Sequence, residues 1–293
     1  MEDLQEFITF DGSFSLYSNQ YKENFHCVQG ALYEAENKFI NPSNLERFRN
    51  KSINVLDICF GLGYNSSFLF NVLLDQSSYL NWYALEIDRR PLNYSLNNQK
   101  FRNLWDPKVN QILESLFINS TFKDHFFTCK VLWGDAREQI SKIPKNTNFD
   151  LIYLDGFSPQ KCPEIWSVEF ITKIKNKLNK KGYIITYSSA AAVRQTFKSL
   201  GLDLYNISPK KANDKEWSIG TLAKRMCDED QLETNALIKR LSIMEEEHLY
   251  TKAATPYRDP ENNSLSFEIL KRRKEEQLMS TLKNTNEWRK KWK

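Results

Sequence analysis

A chain of 293 residues with 41% hydrophobic and 27% charged side chains can bury one sizeable core and has the composition of an ordinary soluble protein. Its five cysteines include no Cys-x-x-Cys pair, which favours a reducing compartment over a disulfide framework. The N-terminus is acidic where a secretion signal would be basic and then apolar. No apolar run approaches the roughly 18 residues of a membrane span. We therefore expect a soluble, cytoplasmic protein with no membrane partner.

The net charge of +4 is distributed unevenly. Residues 271–293 carry nine basic and three acidic side chains, so this tail is strongly positive and the remaining chain is slightly negative. A basic tail on an acidic body is typical of proteins that bind a polyanion. A solubilising terminus explains the same charge pattern equally well.

Strand-like and helix-like segments alternate from about residue 52 onwards. Apolar, β-branched runs occupy 52–60, 80–87, 126–133, 149–154, 182–187, 203–208 and 218–223. Helical spacing of apolar residues is found at 65–75, 91–101, 135–143, 168–178 and 190–200. Such alternation predicts an α/β fold with a doubly wound, seven-stranded, Rossmann-like sheet.

The same pattern predicts three regions. Residues 1–51 form an N-terminal extension that caps the sheet or the site, residues 52–225 form the α/β domain, and residues 226–293 form a helical C-terminal extension with the basic tail.

The first predicted strand runs into a glycine loop, Phe60–Gly63, which opens the helix containing Asn65. Glycine permits a positive φ and lets a ligand lie against the backbone, and the helix start adds unpaired N–H donors. A tight turn without a ligand is an equal alternative from this motif alone. Ser66 stands where the third glycine of a dinucleotide fingerprint would be, which favours a nucleoside-type cofactor over NAD or FAD.

Acidic residues follow the second and third strands. Glu86 lies 23 residues after Gly63, a spacing that suits recognition of ribose hydroxyls, and Asp88 competes for this role. Asp135 lies between Gly134 and Ala136; it could accept a hydrogen bond from an adenine amine or simply cap the next helix.

A further acid, Asp155, ends the fourth strand and begins the turn Asp155–Pro159. An acid here would face a reactive group brought to the cofactor, whereas an ordinary turn aspartate is the alternative. The glycine loop and these acids all follow successive strands. Open α/β sheets bind ligands at that edge, so together the signals predict one site.

Other signals are weaker. The three histidines lack metal-ligand spacing, and we expect no metal site. The chain has no Gly-x-Ser-x-Gly elbow and no P-loop lysine. Ser188 could line the site, while Ser189 is more simply a helix N-cap.

The motifs resemble the methyltransferase domain of the MnmC family, which completes 5-methylaminomethyl-2-thiouridine at the wobble position of tRNA. The resemblance spans about residues 7–225, and its most specific part is the run from Leu154 to Ser167. The other matching segments are Asp11-Gly12-Ser13, Leu16-Tyr17-Ser18, Gly30-Ala31-Leu32-x-Glu34, Phe60-Gly61-x-Gly63-x-Asn65 and Thr186 to Arg194.

The resemblance implies a class I methyltransferase fold, S-adenosyl-L-methionine as cofactor, and methylation of the aminomethyl nitrogen of 5-aminomethyl(-2-thio)uridine in tRNA. Asp155 would orient the amine and take up its proton. The chain shows no FAD fingerprint, so the resemblance implies a stand-alone enzyme without the FAD-dependent oxidase domain of bifunctional members. Motifs and resemblance together assign cofactor contacts to Phe60, Gly61, Gly63, Asn65, Glu86, Gly134, Asp135, Ala136 and Asp155, and substrate contacts to Phe157, Lys161, Ser188 and Arg194.

For tRNA phosphates, the candidates are the basic tail with Arg194, Lys210, Lys211 and Lys215. Two alternative functions remain open at this point. One is a polyamine aminopropyltransferase-like enzyme, which shares the fold and also alkylates an amine. The other is a non-catalytic tRNA-binding module.

Overall fold

The computed structural model describes residues 3–208, 218–225 and 236–292. The chain divides after Phe157 into two compact units, which are described separately below. The predicted phosphate contacts Lys210, Lys211 and Lys215 lie outside the described residues. The division at residues 51 and 225 that the sequence suggests stays a prediction.

The first unit begins with a small antiparallel sheet and a short helix. The strands β1 (Leu4–Ile8), β2 (Phe14–Ser18) and β3 (Glu23–Asn24) pair in that order. Helix α1 (Ala31–Glu34) follows and continues as a π-helix over Ala35–Ile40. Two 3₁₀ turns, Asn41–Ser43 and Leu45–Phe48, lead to the central sheet.

Asp11 fixes the start of α1. Its carboxylate accepts hydrogen bonds from the backbone N–H groups of Ser13 and Tyr33, both at 3.0 Å, and Ser13 Oγ accepts one from Ala31 N at 3.0 Å. The first N–H groups of a helix have no partner within the helix, so these acceptors stabilise it. A Cβ on Gly30 would lie 1.8 Å from Asp11 Oδ2, so only glycine fits there. The segments around Asp11 and Gly30, which carry part of the resemblance to the MnmC family, therefore have a structural role.

The central sheet of the first unit has the order β8-β4-β5-β7-β6, and all its pairs are parallel except β6 with β7. The strands are β4 (Ser52–Ile58), β5 (Tyr79–Glu86), β6 (Thr121–Lys123), β7 (Phe127–Trp133) and β8 (Phe149–Leu154). The strands β4, β5 and β8 are mostly buried, as a sheet covered on both faces requires, whereas β6 has no buried residue and the first half of β7 alternates between buried and exposed side chains.

The strand register brings the candidate site residues to one edge. Ile58 pairs with Leu85 on one side and with Leu154 on the other, and Glu86 pairs with Trp133. The residues that follow these strands therefore emerge side by side, as the sequence predicts for a parallel sheet.

The helices of the first unit match the sequence prediction in part. The predicted helix at 65–75 is confirmed, whereas the one at 91–101 is divided at Asn98, whose side chain caps a new helix by accepting a hydrogen bond from Phe101 N at 3.0 Å. The segment at 135–143 is a single helical turn followed by a 3₁₀ turn, Ile140–Lys142. The helices are α2 (Tyr64–Asp75), α3 (Arg90–Asn97), α4 (Gln99–Arg102), α5 (Pro107–Asn119) and α6 (Ala136–Gln139).

The second unit contains an antiparallel array in the order β12-β10-β11-β9. Its strands are β9 (Leu178–Thr186), β10 (Leu202–Ile207), β11 (Gly220–Arg225) and β12 (Ile238–Arg240). Its helices are α7 (Val168–Asn176), α8 (Ala191–Ser199), α9 (Ile243–His248), α10 (Ser266–Met279) and α11 (Thr285–Trp292), with 3₁₀ turns at Pro163–Trp166 and Lys252–Ala254. All seven strands predicted from the sequence are present, and the α/β class is confirmed.

Two details of the second unit differ from expectation. The N-cap of α8 is Ala190 and not Ser189, so the capping role expected for that serine is wrong. The helix predicted at 168–178 ends at Asn176, because Leu178 already begins β9. No helix in the described ranges has both the length and the hydropathy that crossing a membrane requires.

Arg194 lies at the centre of a buried polar cluster in the second unit. Its side chain pairs with Glu245 at 2.9 Å, and the two side chains are 2% and 3% exposed. The same guanidinium donates to Thr221 Oγ1 at 2.9 Å and to Ser218 Oγ at 2.7 Å. Because all of this charge is used inside the fold, the expectation that Arg194 contacts substrate phosphates is wrong.

Replacing Glu245 by Gln should destabilise the protein by about 3–5 kcal/mol, because Arg194 would keep a buried charge without a counter-ion. Glutamine can still serve at the third helical position of the capping box with Ser242, so the change removes the charge of Glu245 but keeps the helix cap. Urea unfolding followed by circular dichroism measures the difference. Glu247→Gln is the matched control, because its ion pair with Lys291 is solvent-exposed and should contribute little to stability.

The destabilisation should also depend on pH. Burial alone would raise the pKa of Glu245, but the charge of Arg194 and the hydrogen bonds from Ser218, Ser242 and Asn206 outweigh it and lower the pKa from 4.5 to about 2. A carboxyl with a lowered pKa in the folded state stabilises the fold above its unfolded pKa and loses that contribution as the pH falls. The difference between wild type and Glu245→Gln should therefore be full near neutral pH and shrink between about pH 4.5 and pH 2. A difference that does not vary with pH would contradict this assignment.

Candidate functional site

The loop between β4 and α2 has an unusual backbone. Cys59, Gly61 and Gly63 have φ angles of 65°, 57° and 85°, and Gly63 is the N-cap of α2. A positive φ is uncommon for a residue other than glycine, and Cys59 is the one residue of these three that is not glycine. A Cβ on Gly63 would lie 3.1 Å from the ring of Phe60, so the loop is packed closely against its own aromatic residue. The turn thus holds backbone N–H groups at the edge of the sheet.

Glu86 holds this glycine loop in place. Its Oε2 accepts a hydrogen bond from Gly61 N at 2.8 Å, and its Oε1 accepts from Ile87 N and Asp88 N at 2.7 and 2.9 Å. Burial raises the pKa of this carboxyl, and the three backbone donors oppose that effect. The competing acid, Asp88, instead pairs with Arg90 at 2.7 Å near the surface. Of the two acids, Glu86 is the one that contacts the loop.

Asp57 is a buried acid that the sequence reasoning missed. Ser66 Oγ donates a hydrogen bond to its Oδ2, whereas its Oδ1 is buried and has no hydrogen-bond partner among the described residues. Burial raises the pKa of Asp57 to about 7, with a smaller contribution from the charge of Glu86. A buried acceptor without a donor is costly, so this atom suits a polar ligand group. The available signal was an acid within the apolar run Val55–Ile58.

Gly134 and Asp135 occupy the loop after β7. Gly134 N donates to the carbonyl of Glu86 at 2.8 Å, and a Cβ on Gly134 would lie 2.7 Å from Gln139 Nε2. Asp135 caps α6 by accepting from Arg137 N at 2.9 Å and also pairs with the Arg137 guanidinium at 2.6 Å. The capping role is therefore confirmed, and Asp135 directly follows the residue that is hydrogen-bonded to Glu86. Ala136, the first residue of α6, is buried.

Asp155 follows β8 directly, and its backbone N–H donates to Ile58 O at 3.1 Å. Asn65 Nδ2 donates to its Oδ2 at 2.6 Å. Among the described residues no other donor contacts the carboxylate, so Oδ1 is available to a ligand. The side chain is partly exposed. Desolvation, and then the negative charge of Glu34, raise the pKa of Asp155 well above its usual range, and the hydrogen bond from Asn65 opposes them.

The charges behind Asp155 come from the N-terminal segment. Glu34 is buried, accepts a hydrogen bond from Cys27 N at 2.9 Å and forms an ion pair with Lys38. Burial would lower the pKa of Lys38, but Glu34 outweighs it and keeps the amine protonated. Burial lowers the pKa of His26 to about 4, so this imidazole is neutral near pH 7. The sequence predicted an extension that caps the site, but not this buried pair.

These residues of the first unit meet the requirements of a nucleoside-type ligand. The glycine loop, Glu86 and Asp135 lie at the ends of neighbouring strands, and Asn65 links the start of α2 to Asp155. Asp57, whose Oδ1 has no hydrogen-bond partner among the described residues, is the penultimate residue of β4 and precedes the glycine loop by three residues. A ligand with hydroxyl and ammonium donors would satisfy the acidic groups, which otherwise face one another with like charge.

The remaining predicted substrate residues are divided between the two units. Phe157 belongs to the first unit and stacks on Tyr21. Lys161 is exposed in the second unit. Ser188 is 4% exposed, and its backbone N–H donates to Thr186 Oγ1 at 3.1 Å. No cluster of three or more His, Cys, Asp or Glu side chains with the geometry of a metal site occurs in residues 3–208, 218–225 and 236–292.

Comparisons with known proteins relate the chain to a family of methyltransferases. A family model described as S-adenosyl-L-methionine-dependent methyltransferase matches residues 99–219. An uncharacterized protein of Methanocaldococcus jannaschii is 26% identical over 267 residues, which cover 91% of this chain and 70% of that protein. The tRNA 5-methylaminomethyl-2-thiouridine biosynthesis bifunctional protein MnmC of Campylobacter fetus is 26% identical over 206 residues, which cover 67% of this chain. The match covers only 32% of that protein's own length.

A solved structure matches most of the chain. The crystal structure of MnmC2 from Aquifex aeolicus has a TM-score of 0.78 and 26% sequence identity, and the match covers 96% of this chain and 87% of that one. The predicted class I methyltransferase fold is confirmed by this similarity, and the predicted cofactor by the family model. The chain is an MnmC-like, S-adenosyl-L-methionine-dependent methyltransferase.

Proposed function

We propose that this methyltransferase acts on tRNA and methylates the aminomethyl nitrogen of 5-aminomethyl(-2-thio)uridine at the wobble position. The observation that carries the proposal is the Asp155 carboxylate, which Asn65 anchors through one oxygen and whose other oxygen contacts no donor among the described residues. The relatives named for 5-methylaminomethyl-2-thiouridine biosynthesis support the choice of substrate.

The residues at the sheet edge divide the binding of the cofactor among them. Glu86 would accept hydrogen bonds from the ribose hydroxyls, and Asp135, with Gly134 and Ala136, would contact the adenine. The rest of the cofactor would lie against the backbone of Phe60, Gly61 and Gly63. The ammonium group of its methionine part would donate a hydrogen bond to Asp57 Oδ1. S-adenosyl-L-methionine, when bound, supplies an electrophilic methyl group on a sulfonium.

Asp155 would prepare the amine. An alkylamine is mostly protonated near neutral pH, since the reference pKa of a lysine amine is about 10.4. Only the neutral amine has the lone pair that the reaction needs. Asp155 Oδ1 would accept a hydrogen from the nitrogen, take up the proton, and leave the lone pair directed at the methyl group.

The raised pKa of Asp155 suits this role. An ordinary aspartate, with a pKa of about 3.9, is a much weaker base than the amine from which it must take a proton. Burial and the charge of Glu34 raise the pKa of Asp155 and so reduce the difference between its pKa and that of the amine. Efficient proton transfer favours a base whose pKa lies near the working pH.

Contacts with tRNA would come from part of the basic tail. Arg273 donates to the carbonyls of Thr255 and Ala253 at 2.8 and 3.0 Å, and Lys291 pairs with Glu247, so these charges stabilise the second unit. Five other basic residues of the tail are exposed and could contact phosphates: Lys271, Lys274, Lys283, Arg289 and Lys290. Such binding would weaken steeply with added salt.

Substituting Asp155 by Asn should lower methyl transfer by about 10²–10⁴-fold, because the amide cannot take up the proton. The assay is transfer of labelled methyl from S-adenosyl-L-methionine to tRNA whose wobble uridine carries the bare aminomethyl group, with nucleoside mass spectrometry as the readout. Asp88→Asn is the matched control, because the side chain of that acid pairs with Arg90 near the surface. Wild-type enzyme that binds the cofactor but leaves this tRNA unlabelled, while labelling free polyamines, would contradict the proposed substrate.

Asn65 should act as a positioning residue for Asp155. Asn65→Ala removes the 2.6 Å hydrogen bond, so we expect kcat to fall by about 10²-fold with little change in the KM for tRNA. That bond favours the ionised carboxylate, so its loss should also move the acidic limb of the pH profile of kcat to higher pH.

The exposed Asn97→Ala in α3 is the control for this experiment. A variant of Asn65 with weaker binding of S-adenosyl-L-methionine, but with an unchanged kcat and pH profile, would show that Asn65 contacts the cofactor instead of positioning Asp155.

A further inference from the structure

Three aromatic rings form a cluster at the site. Tyr21 and Phe157 are stacked, with ring centroids 4.4 Å apart and planes inclined by 21°. Phe25 meets Phe157 edge to face at 4.9 Å and 75°. We call Tyr21, Phe25 and Phe157 the aromatic cluster.

Two members of the aromatic cluster adjoin the glycine loop and the turn that begins at Asp155. A Cβ on Gly61 would be 3.6 Å from the ring of Phe25, so that ring lies against the loop. Phe157 is two residues beyond Asp155 in the same turn. Tyr21 lies in the turn between β2 and β3, where its backbone N–H donates to Ser18 Oγ at 3.2 Å.

The exposure of the aromatic cluster separates it from core packing. Aromatic residues that fill the core of the first unit, such as Phe14, Tyr64 and Phe101, are at most 1% exposed. All three rings of the aromatic cluster are instead partly exposed. Lys22, next to Tyr21, is exposed and has a φ of 52°. An aromatic ring beside an exposed cation is the combination that binds an unpaired base and its phosphate.

We propose that the aromatic cluster is the platform on which the target base of the RNA stacks. This inference rests on the proposed function and assigns the base-binding residues that it requires. Proteins recognise bases in single-stranded RNA loops largely by stacking them on aromatic side chains. Tyr21 and Phe157 are already nearly parallel, and a uracil ring extends that stack. Because Phe157 is two residues from Asp155, a base stacked on it would bring its 5-substituent to the turn that holds this carboxylate. The exposed Lys22, next to Tyr21, would contact a neighbouring phosphate.

Replacing Tyr21 by Ala tests the proposal. The probe is an anticodon stem-loop RNA carrying 5-aminomethyluridine, and its dissociation constant is measured by fluorescence anisotropy alongside calorimetric titration with S-adenosyl-L-methionine. We expect about 10- to 100-fold weaker binding of the RNA, the range for loss of one stacked base, with unchanged affinity for the cofactor. Tyr21→Phe keeps an aromatic face and should bind like the wild type.

Two further variants make the result specific. Tyr21→Leu keeps apolar volume without an aromatic face, so it should weaken RNA binding even if Tyr21→Ala fails to fold. Tyr79→Ala is the matched control, because Tyr79 is an exposed aromatic residue at the start of β5, the opposite end from Glu86.

The outcomes separate this proposal from the proposed function. RNA affinity that is unchanged in Tyr21→Ala and Tyr21→Leu overturns the aromatic platform, whether or not the wild type methylates the RNA. Loss of cofactor affinity with intact RNA binding also overturns it and makes the aromatic cluster a wall of the cofactor site. Wild-type enzyme that binds the stem-loop through Tyr21 but never methylates it contradicts the proposed function alone.

Discussion

The contact between the Glu86 carboxylate and the Gly61 N–H is the constraint on which the site depends. It ties the loop after β4 to the end of β5, two strands that are already in parallel register at Ile58 and Leu85. With the loop held, α2 begins at a fixed place and carries Asn65 to Asp155. A charged side chain is buried only when it is well paired, and here three backbone donors fill that need.

Three acidic residues at one sheet edge have different partners. Among the described residues, Glu86 accepts from three backbone N–H groups, Asp57 accepts from Ser66 on one oxygen and from no donor on the other, and Asp155 accepts from one amide donor. Burial raises the pKa of all three, and their mutual repulsion adds to it at Asp57 and Asp155. A cationic ligand relieves this repulsion, so the same charges that disfavour the empty edge favour a sulfonium and an ammonium.

The sequence predicted the strands, the α/β class and the sheet edge because these follow from local periodicity and from the geometry of parallel strands. Asp57 was missed because an acid inside an apolar strand has no periodic signature. Arg194 was misassigned because its partner, Glu245, is 51 residues away along the chain, and burial of that kind depends on tertiary packing. The division of the predicted helix at Asn98 was missed for a different reason. The Asn98 side chain caps a new helix, and the spacing of apolar residues carries no information about such a cap.

The proposed cofactor site ends at Asp155, and its most direct test is a crystal structure of the protein with S-adenosyl-L-homocysteine. We expect the ribose hydroxyls on Glu86, the amino group within hydrogen-bonding distance of Asp57 Oδ1, and the sulfur facing Asp155. A ligand bound away from the glycine loop, or one whose sulfur faces away from Asp155, would contradict the account.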